Sequence, residues 1–138
     1  DKASTEQVFE SFFSPKTHRL IDVRSSAEFE GKLRGPAGLE ARCATAGRIP
    51  TSINIPWNLN CNHDGTFKNP EELLSLYESF DVLPDNTIIT YCAIGERASL
   101  SWFVLKMLLG YEVVMNYDRS MAEWSRLANA PIITAEAA

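Results

Sequence analysis

Thr87-Ile88-Ile89-Thr90-Tyr91 constrains this chain more than any other segment. It is short, rich in β-branched residues and apolar on both faces, which suits a strand at the centre of a parallel sheet. The run leads straight into Cys92-Ala93-Ile94-Gly95-Glu96-Arg97, and a helical pattern follows from Arg97 to Leu109, closed by Gly110. That helix is apolar nearly all round, so burial is expected for it. Elsewhere helix and strand signals alternate, which argues for an α/β domain with a mostly parallel sheet.

The remaining elements follow from local signals. Ser4 and Gln7 have capping-box spacing, so Ser4 to Phe13 reads as a helix. Arg19 to Val23 reads as a short buried strand. Ser26 is then expected to cap a short helix through Glu30, with Gly31 stopping it. Residues 32–47 hold three Gly, one Pro and four Ala without a clear period, and read as a long surface excursion. Ser52 to Ile55 predicts a short strand ended by Pro56. Asn69-Pro70-Glu71-Glu72 is a helix start, with Asn as N-cap, Pro in the first turn and acids facing the dipole, and the helix should reach about Phe80. Glu112 to Met115 predicts a last strand and Ser120 to Leu127 a last helix. Residues 1–138 read as one domain, with 1–16 and 133–138 peripheral.

Composition removes several function classes. The 138 residues carry 18 acids against 13 bases, a net charge of −5. An acidic chain without a basic run is a poor nucleic-acid binder, because neutralising phosphates needs clustered Lys and Arg. No apolar stretch approaches the ~20 residues of a membrane span. The three cysteines, Cys43, Cys61 and Cys92, form no C-x-x-C pair, and His18 and His63 form no metal pattern, so no metal and no cofactor is expected. An odd count in a domain of this size does not read as a disulfide framework. A free thiol suits the reducing cytoplasm, which is the expected location. The chain begins at Asp1 and shows no signal peptide, and a processed protein and an excised domain both stay open.

The chemistry concentrates at Cys92. Ligands of parallel α/β sheets bind outside the carboxyl ends of the strands, where this cysteine sits. The turn after it can direct several backbone N–H groups inward, and the helix N-terminus adds partial positive charge. Both stabilise an anion, so the expected reactive form is the thiolate. Gly95 lets the backbone curl without a side chain in the way. The alternative, a small buried hydrophobe, is commonest for cysteines in general. Cys43 and Cys61 lack such surroundings and read as non-catalytic, with a resolving thiol in a mobile loop as the other option.

From about Thr17 to Ile132 the chain resembles the rhodanese family of sulfurtransferases. The resemblance rests on Leu20-Ile21-Asp22-Val23-Arg24 with Glu28-Phe29 after it, on Gly47-Arg48-Ile49-Pro50 leading to Ile53-Asn54-Ile55-Pro56-Trp57, and on Tyr91 through Arg97. Gly110-Tyr111, Asn116-Tyr117-Asp118 and Glu123-Trp124 complete it. Four such pieces in the family's order are specific. The excursion and the Asn-Tyr-Asp run look most like the catalytic, C-terminal half of tandem-domain thiosulfate sulfurtransferases, which implies a partner second rhodanese domain. The fold implied is a three-layer α/β domain with a central, mostly parallel sheet flanked by helices.

The resemblance implies that Cys92 takes a sulfane sulfur from thiosulfate as a persulfide and passes it to cyanide, a thiol or a sulfur-accepting protein. Backbone N–H groups of Ala93, Ile94, Gly95, Glu96 and Arg97 would line the donor site. The Arg97 side chain would bind the donor, brace the loop, or pair with an acid such as Asp22 or Glu96. Asp22 and Arg24 read as loop-bracing or as a structural ion pair. Arg48 reads as structural, and Trp57 and Trp124 as core or pocket wall. Loop length separates the reaction classes. Cysteine-dependent phosphatases use C-x5-R around a phosphate, whereas Arg97 gives C-x4-R, and the family resemblance implies a smaller sulfur-centred group.

Three departures bear on the donor. Thiosulfate enzymes of the family carry basic residues where this chain has Ala93 and Ile94, and mercaptopyruvate enzymes end the loop with Thr rather than Arg97. Members of both groups place an Arg near Glu28, where this chain has an acid. Arg119, in the loop after the next strand, is the candidate to restore an anion contact at the pocket mouth, against the alternative of a solvated surface Arg. The competing functions are a mercaptopyruvate sulfurtransferase, a non-catalytic rhodanese-like interaction module, and a phosphatase or arsenate reductase. The presence of Cys92 opposes the second and loop length the third.

Overall fold

Alternation along two strands divides the core. In β1 (His18–Asp22), Leu20 and Ile21 point to opposite faces, and in β3 (Thr87–Tyr91) Ile88 and Ile89 do the same. All four are buried, so helices must cover both faces. The computed structural model describes residues 1–134. Its sheet has four parallel strands in the order β2-β1-β3-β4, with β2 at Ile53–Asn54 and β4 at Val113–Asn116. One face packs Ile21, Ile88 and Val114 against α3 (Pro70–Ser79) and α4 (Glu96–Phe103). The other packs Leu20, Ile89 and Tyr91 against α1 (Thr5–Ser11) and α5 (Ser120–Trp124), where Trp124 is buried against Phe9 and Phe12.

Local chemistry sets the helix ends. A capping box starts α1 at Ser4 with Gln7, as the spacing predicts, and Asn69 caps α3 as expected, there too in a reciprocal box, with Glu72. The short helix α2 (Ser26–Phe29) is capped by Ser25 rather than Ser26, because Glu28, three residues on, returns its carboxylate to the Ser25 N–H and hydroxyl. Beyond α4 the chain widens into a π-helical turn, Val104–Leu108. The expectation that this helical stretch is buried holds for Ala98, Ser101, Val104 and Leu105 only. Phe103, Met107 and Leu108 are exposed, so its apolar girth overstates its burial.

Within residues 1–16, read as peripheral, Ala3, Val8 and Ser11 are buried and the Ala3 N–H donates to the Asn116 carbonyl at 2.9 Å, while Phe13 to Lys16 are exposed. Ile133 pairs with Arg48, and 135–138, read as peripheral, lie outside the described residues. Among the described residues no helix is long and apolar enough to cross a membrane, and no cluster of side chains suits a metal.

The topology positions the site. From β1 the chain turns to one side to form β2 and later to the other to form β3, so the strand order reverses at β1/β3. Crevices at such points receive ligands. Asp22 is in register with Tyr91, so the segments that leave β1 and β3, starting at Val23 and Cys92, emerge together on the carboxyl edge.

Candidate active site

Cys92 begins the turn between β3 and α4 and is fully buried. Its Sγ accepts two backbone N–H groups, from Gly95 at 3.0 Å and Ala98 at 3.4 Å. Gly95 is the one residue of the expected five that donates to the sulfur, and Ala98 was not foreseen. Gly95 has φ +90°, and a Cβ there would collide with the Asp118 carbonyl. Only glycine allows the turn to curl this tightly under the β4–α5 loop.

The end of β4 and the start of α5 hold the loop from outside. The first turn of α5 donates Met121 N–H to the Cys92 carbonyl at 3.0 Å and Ala122 N–H to the Ala93 carbonyl at 2.8 Å. The Ser120 hydroxyl accepts the Cys92 N–H at 3.0 Å and donates to the Tyr117 carbonyl at 2.7 Å. Ser120 has φ +52°, an uncommon conformation for a non-glycine residue, in which its hydroxyl meets the Cys92 backbone. The Asn116 amide donates to the Gly95 carbonyl at 3.4 Å. The sequence reading missed Ala98, Ser120 and Asn116 as partners of the cysteine turn; only Asn116 carried a signal, in the Asn116-Tyr117-Asp118 run.

Two carboxylate–guanidinium pairs lie beside this loop. Arg24 grips Asp22 through Nε and Nη2, at 2.7 Å for the shortest contact, and both side chains are fully buried. Arg24 also donates to the Gly47 carbonyl at 2.7 Å, pinning the end of the excursion. Arg97 makes a two-pronged contact with Glu28, at 2.9 and 3.0 Å. The acid paired with Arg97 is therefore Glu28, not Asp22 or Glu96; helix α2 carries it to the same edge from the end of β1. Burial pushes the Glu28 carboxyl up, but the hydrogen bonds and charge of Arg97, with Arg24 and Ser25, outweigh it and hold the carboxyl below its ordinary 4.5. Burial likewise opposes the charge on Arg97, and Glu28 more than restores it.

Two cavities touch the loop. One of about 490 Å³ is lined by Ile94 with Arg42, Arg119, Ala122 and Arg126, among others. The other, of about 250 Å³, is lined by Arg97 with Ser25, Ser26, Pro56, Trp57 and Asn58. Trp57 is thus pocket wall and Trp124 core. Arg119 does reach the first cavity, yet its guanidinium is exposed and ion-paired with Glu123 at 3.3 Å. Arg48 lies over the Phe29 ring at 4.5 Å. Glu96 is exposed at the first turn of α4. Cys43 is buried, which pushes its thiol up, and Cys61 is half-buried; neither is in a disulfide.

A buried cysteine at the carboxyl edge of a parallel sheet, with its sulfur hydrogen-bonded by the turn that follows, defines a class, and comparison with known proteins agrees. The chain belongs to the rhodanese-like domain family, whose model matches residues 5–127. It is 48% identical to a Haloferax volcanii protein named "Putative thiosulfate sulfurtransferase", over 82% of this chain and 40% of that one. It is 45% identical to the sulfur carrier protein TtuD of Thermus thermophilus, over 98% of this chain and 48% of that one. The chain therefore spans less than half the length of these relatives. Among solved structures, the anaerobic ergothioneine biosynthesis enzyme of Chlorobium limicola, in complex with trimethyl histidine, superposes with a TM-score of 0.85 at 28% identity. That match covers 96% of this chain and 32% of the enzyme. A structure of EanB bearing a cysteine persulfide, with ergothioneine, superposes equally well (TM-score 0.85, 26% identity, 96% and 32% covered).

Proposed function

We propose that this domain transfers sulfane sulfur through a persulfide on Cys92, with thiosulfate as donor and cyanide or a thiol as acceptor. The observation that carries the reading is the pair of backbone N–H groups on the Cys92 sulfur at the mouth of α4. Such donors stabilise negative charge on sulfur, in the attacking thiolate and in the persulfide alike. The names of relatives add support: sulfur transfer is common to the thiosulfate sulfurtransferase and the sulfur carrier, and EanB has been captured with a cysteine persulfide.

In the first half-reaction the Cys92 thiolate attacks the outer sulfur of thiosulfate. A bond forms between Sγ and that sulfur, the thiosulfate S–S bond breaks, and sulfite leaves with the electron pair. In the second, cyanide attacks the terminal sulfur, thiocyanate leaves, and the thiolate is restored. Charge and atoms balance in both steps, and no cofactor is called for. A sulfur-accepting protein or a second rhodanese-like domain in a longer chain would fill the acceptor and partner roles, in the cytoplasm.

Thiocyanate production tests the scheme. Reciprocal plots at several cyanide concentrations should be parallel, as two half-reactions require, and Cys92→Ser should abolish the rate. Intersecting lines, or activity surviving in Cys92→Ser, would remove Cys92 as the sulfur carrier. 3-Mercaptopyruvate is the second donor to test, because Ala93 and Ile94 place no cation in the turn.

A further inference from the structure

We propose that Glu28 sets donor choice by neutralising Arg97, so that Cys92 works in a cradle whose neighbouring cations are already paired. The inference rests on the sulfurtransfer reading and concerns which donor charge the site favours.

Arg97 is the loop's single cation, and its side chain borders the cavity of about 250 Å³ beside the loop. A free guanidinium there would grip the sulfonate end of thiosulfate bidentately. Here both prongs are taken by Glu28. Glu28 cannot swing away cheaply: it is 2% exposed, and its Oε1 also holds the Ser25 N–H and hydroxyl. The second guanidinium on this edge, Arg24, is committed to Asp22 and Gly47. On this side of the loop two cations thus face two anions, and neither guanidinium is free to grip a dianion; Arg42, Arg119 and Arg126 line the other cavity, beside Ile94. Glu28 would also repel a second anion entering the Arg97 cavity.

Removing that one charge, while keeping an oxygen for Ser25, is the direct test. In Glu28→Gln the KM for thiosulfate should fall about three- to ten-fold, and that for monoanionic 3-mercaptopyruvate less, since the effect scales with donor charge. The thiosulfate kcat/KM should also become more sensitive to added salt than in the unmodified protein, because a net cation now faces the donor. Glu28→Asp, which keeps the charge on a shorter arm, should retain the original ranking of donors. Equal changes in KM for both donors, or identical behaviour of the Asp and Gln variants, would show Glu28 to be only a brace and overturn the proposal. Failure of the unmodified protein to take sulfur on Cys92 from either donor would overturn the sulfurtransfer reading itself, and this inference with it.

Discussion

Asp22–Arg24 and Glu28–Arg97 are the same chemical pair used in two ways. Both join a carboxylate to a guanidinium near the end of β1. The first links residues two apart and is fully sealed. The second joins α2 to the cysteine loop across 69 residues, and its Arg97 side chain is 23% exposed beside a cavity. A sealed pair can only hold shape, since no solute reaches it. A pair open on one side holds shape and also fixes the charge that an incoming donor meets. The lesson is that burial, more than pairing, separates a structural ion pair from one that can bias a reaction.

The largest effect should come from breaking the sealed pair. Asp22→Ala leaves the Arg24 charge buried without its partner, which typically costs about 3–5 kcal/mol. Denaturant unfolding should report that loss. A change below about 1 kcal/mol would mean that water reaches Arg24 and that the contrast is false.

The open pair should give a smaller, pH-dependent loss. The Glu28 carboxyl is held below 4.5 in the folded chain, so its contribution is present above that value and fades as pH falls through the lowered one. Glu28→Gln should therefore cost about 1–2 kcal/mol near pH 7, and the gap to the unmodified protein should close on acidification. A gap that stays constant below pH 4 would place the stabilisation elsewhere. The smallest effect is expected at the exposed Arg119–Glu123 pair. Arg119→Ala should shift stability by less than about 0.5 kcal/mol and leave the KM for thiosulfate within about two-fold. A larger rise in KM would make Arg119 a donor contact at the rim of the Ile94 cavity.

The same contrast explains what the sequence disclosed. Features fixed by a few neighbouring residues were legible: the Ser4 and Asn69 caps, the Thr87–Tyr91 strand and the turn from Cys92 to Gly95. The Ser25 cap was off by one because two serines stand together and only the reach of Glu28 decides between them. Contacts that need the fold were not legible. Glu28 meets Arg97, and Ser120 meets Cys92, only because parallel strands deliver their following segments to one edge. The exposed side of Phe103 and Met107 was hidden for a related reason, since an all-round apolar pattern does not say which face finds a neighbour.

The most direct test of the account is the intact mass of the protein after brief exposure to thiosulfate, and again after cyanide, beside Cys92→Ser. A gain of one sulfur, about 32 Da, that cyanide removes and the variant lacks is the predicted result for covalent catalysis at Cys92. No gain from thiosulfate or from 3-mercaptopyruvate, or a gain that persists in Cys92→Ser, would contradict it.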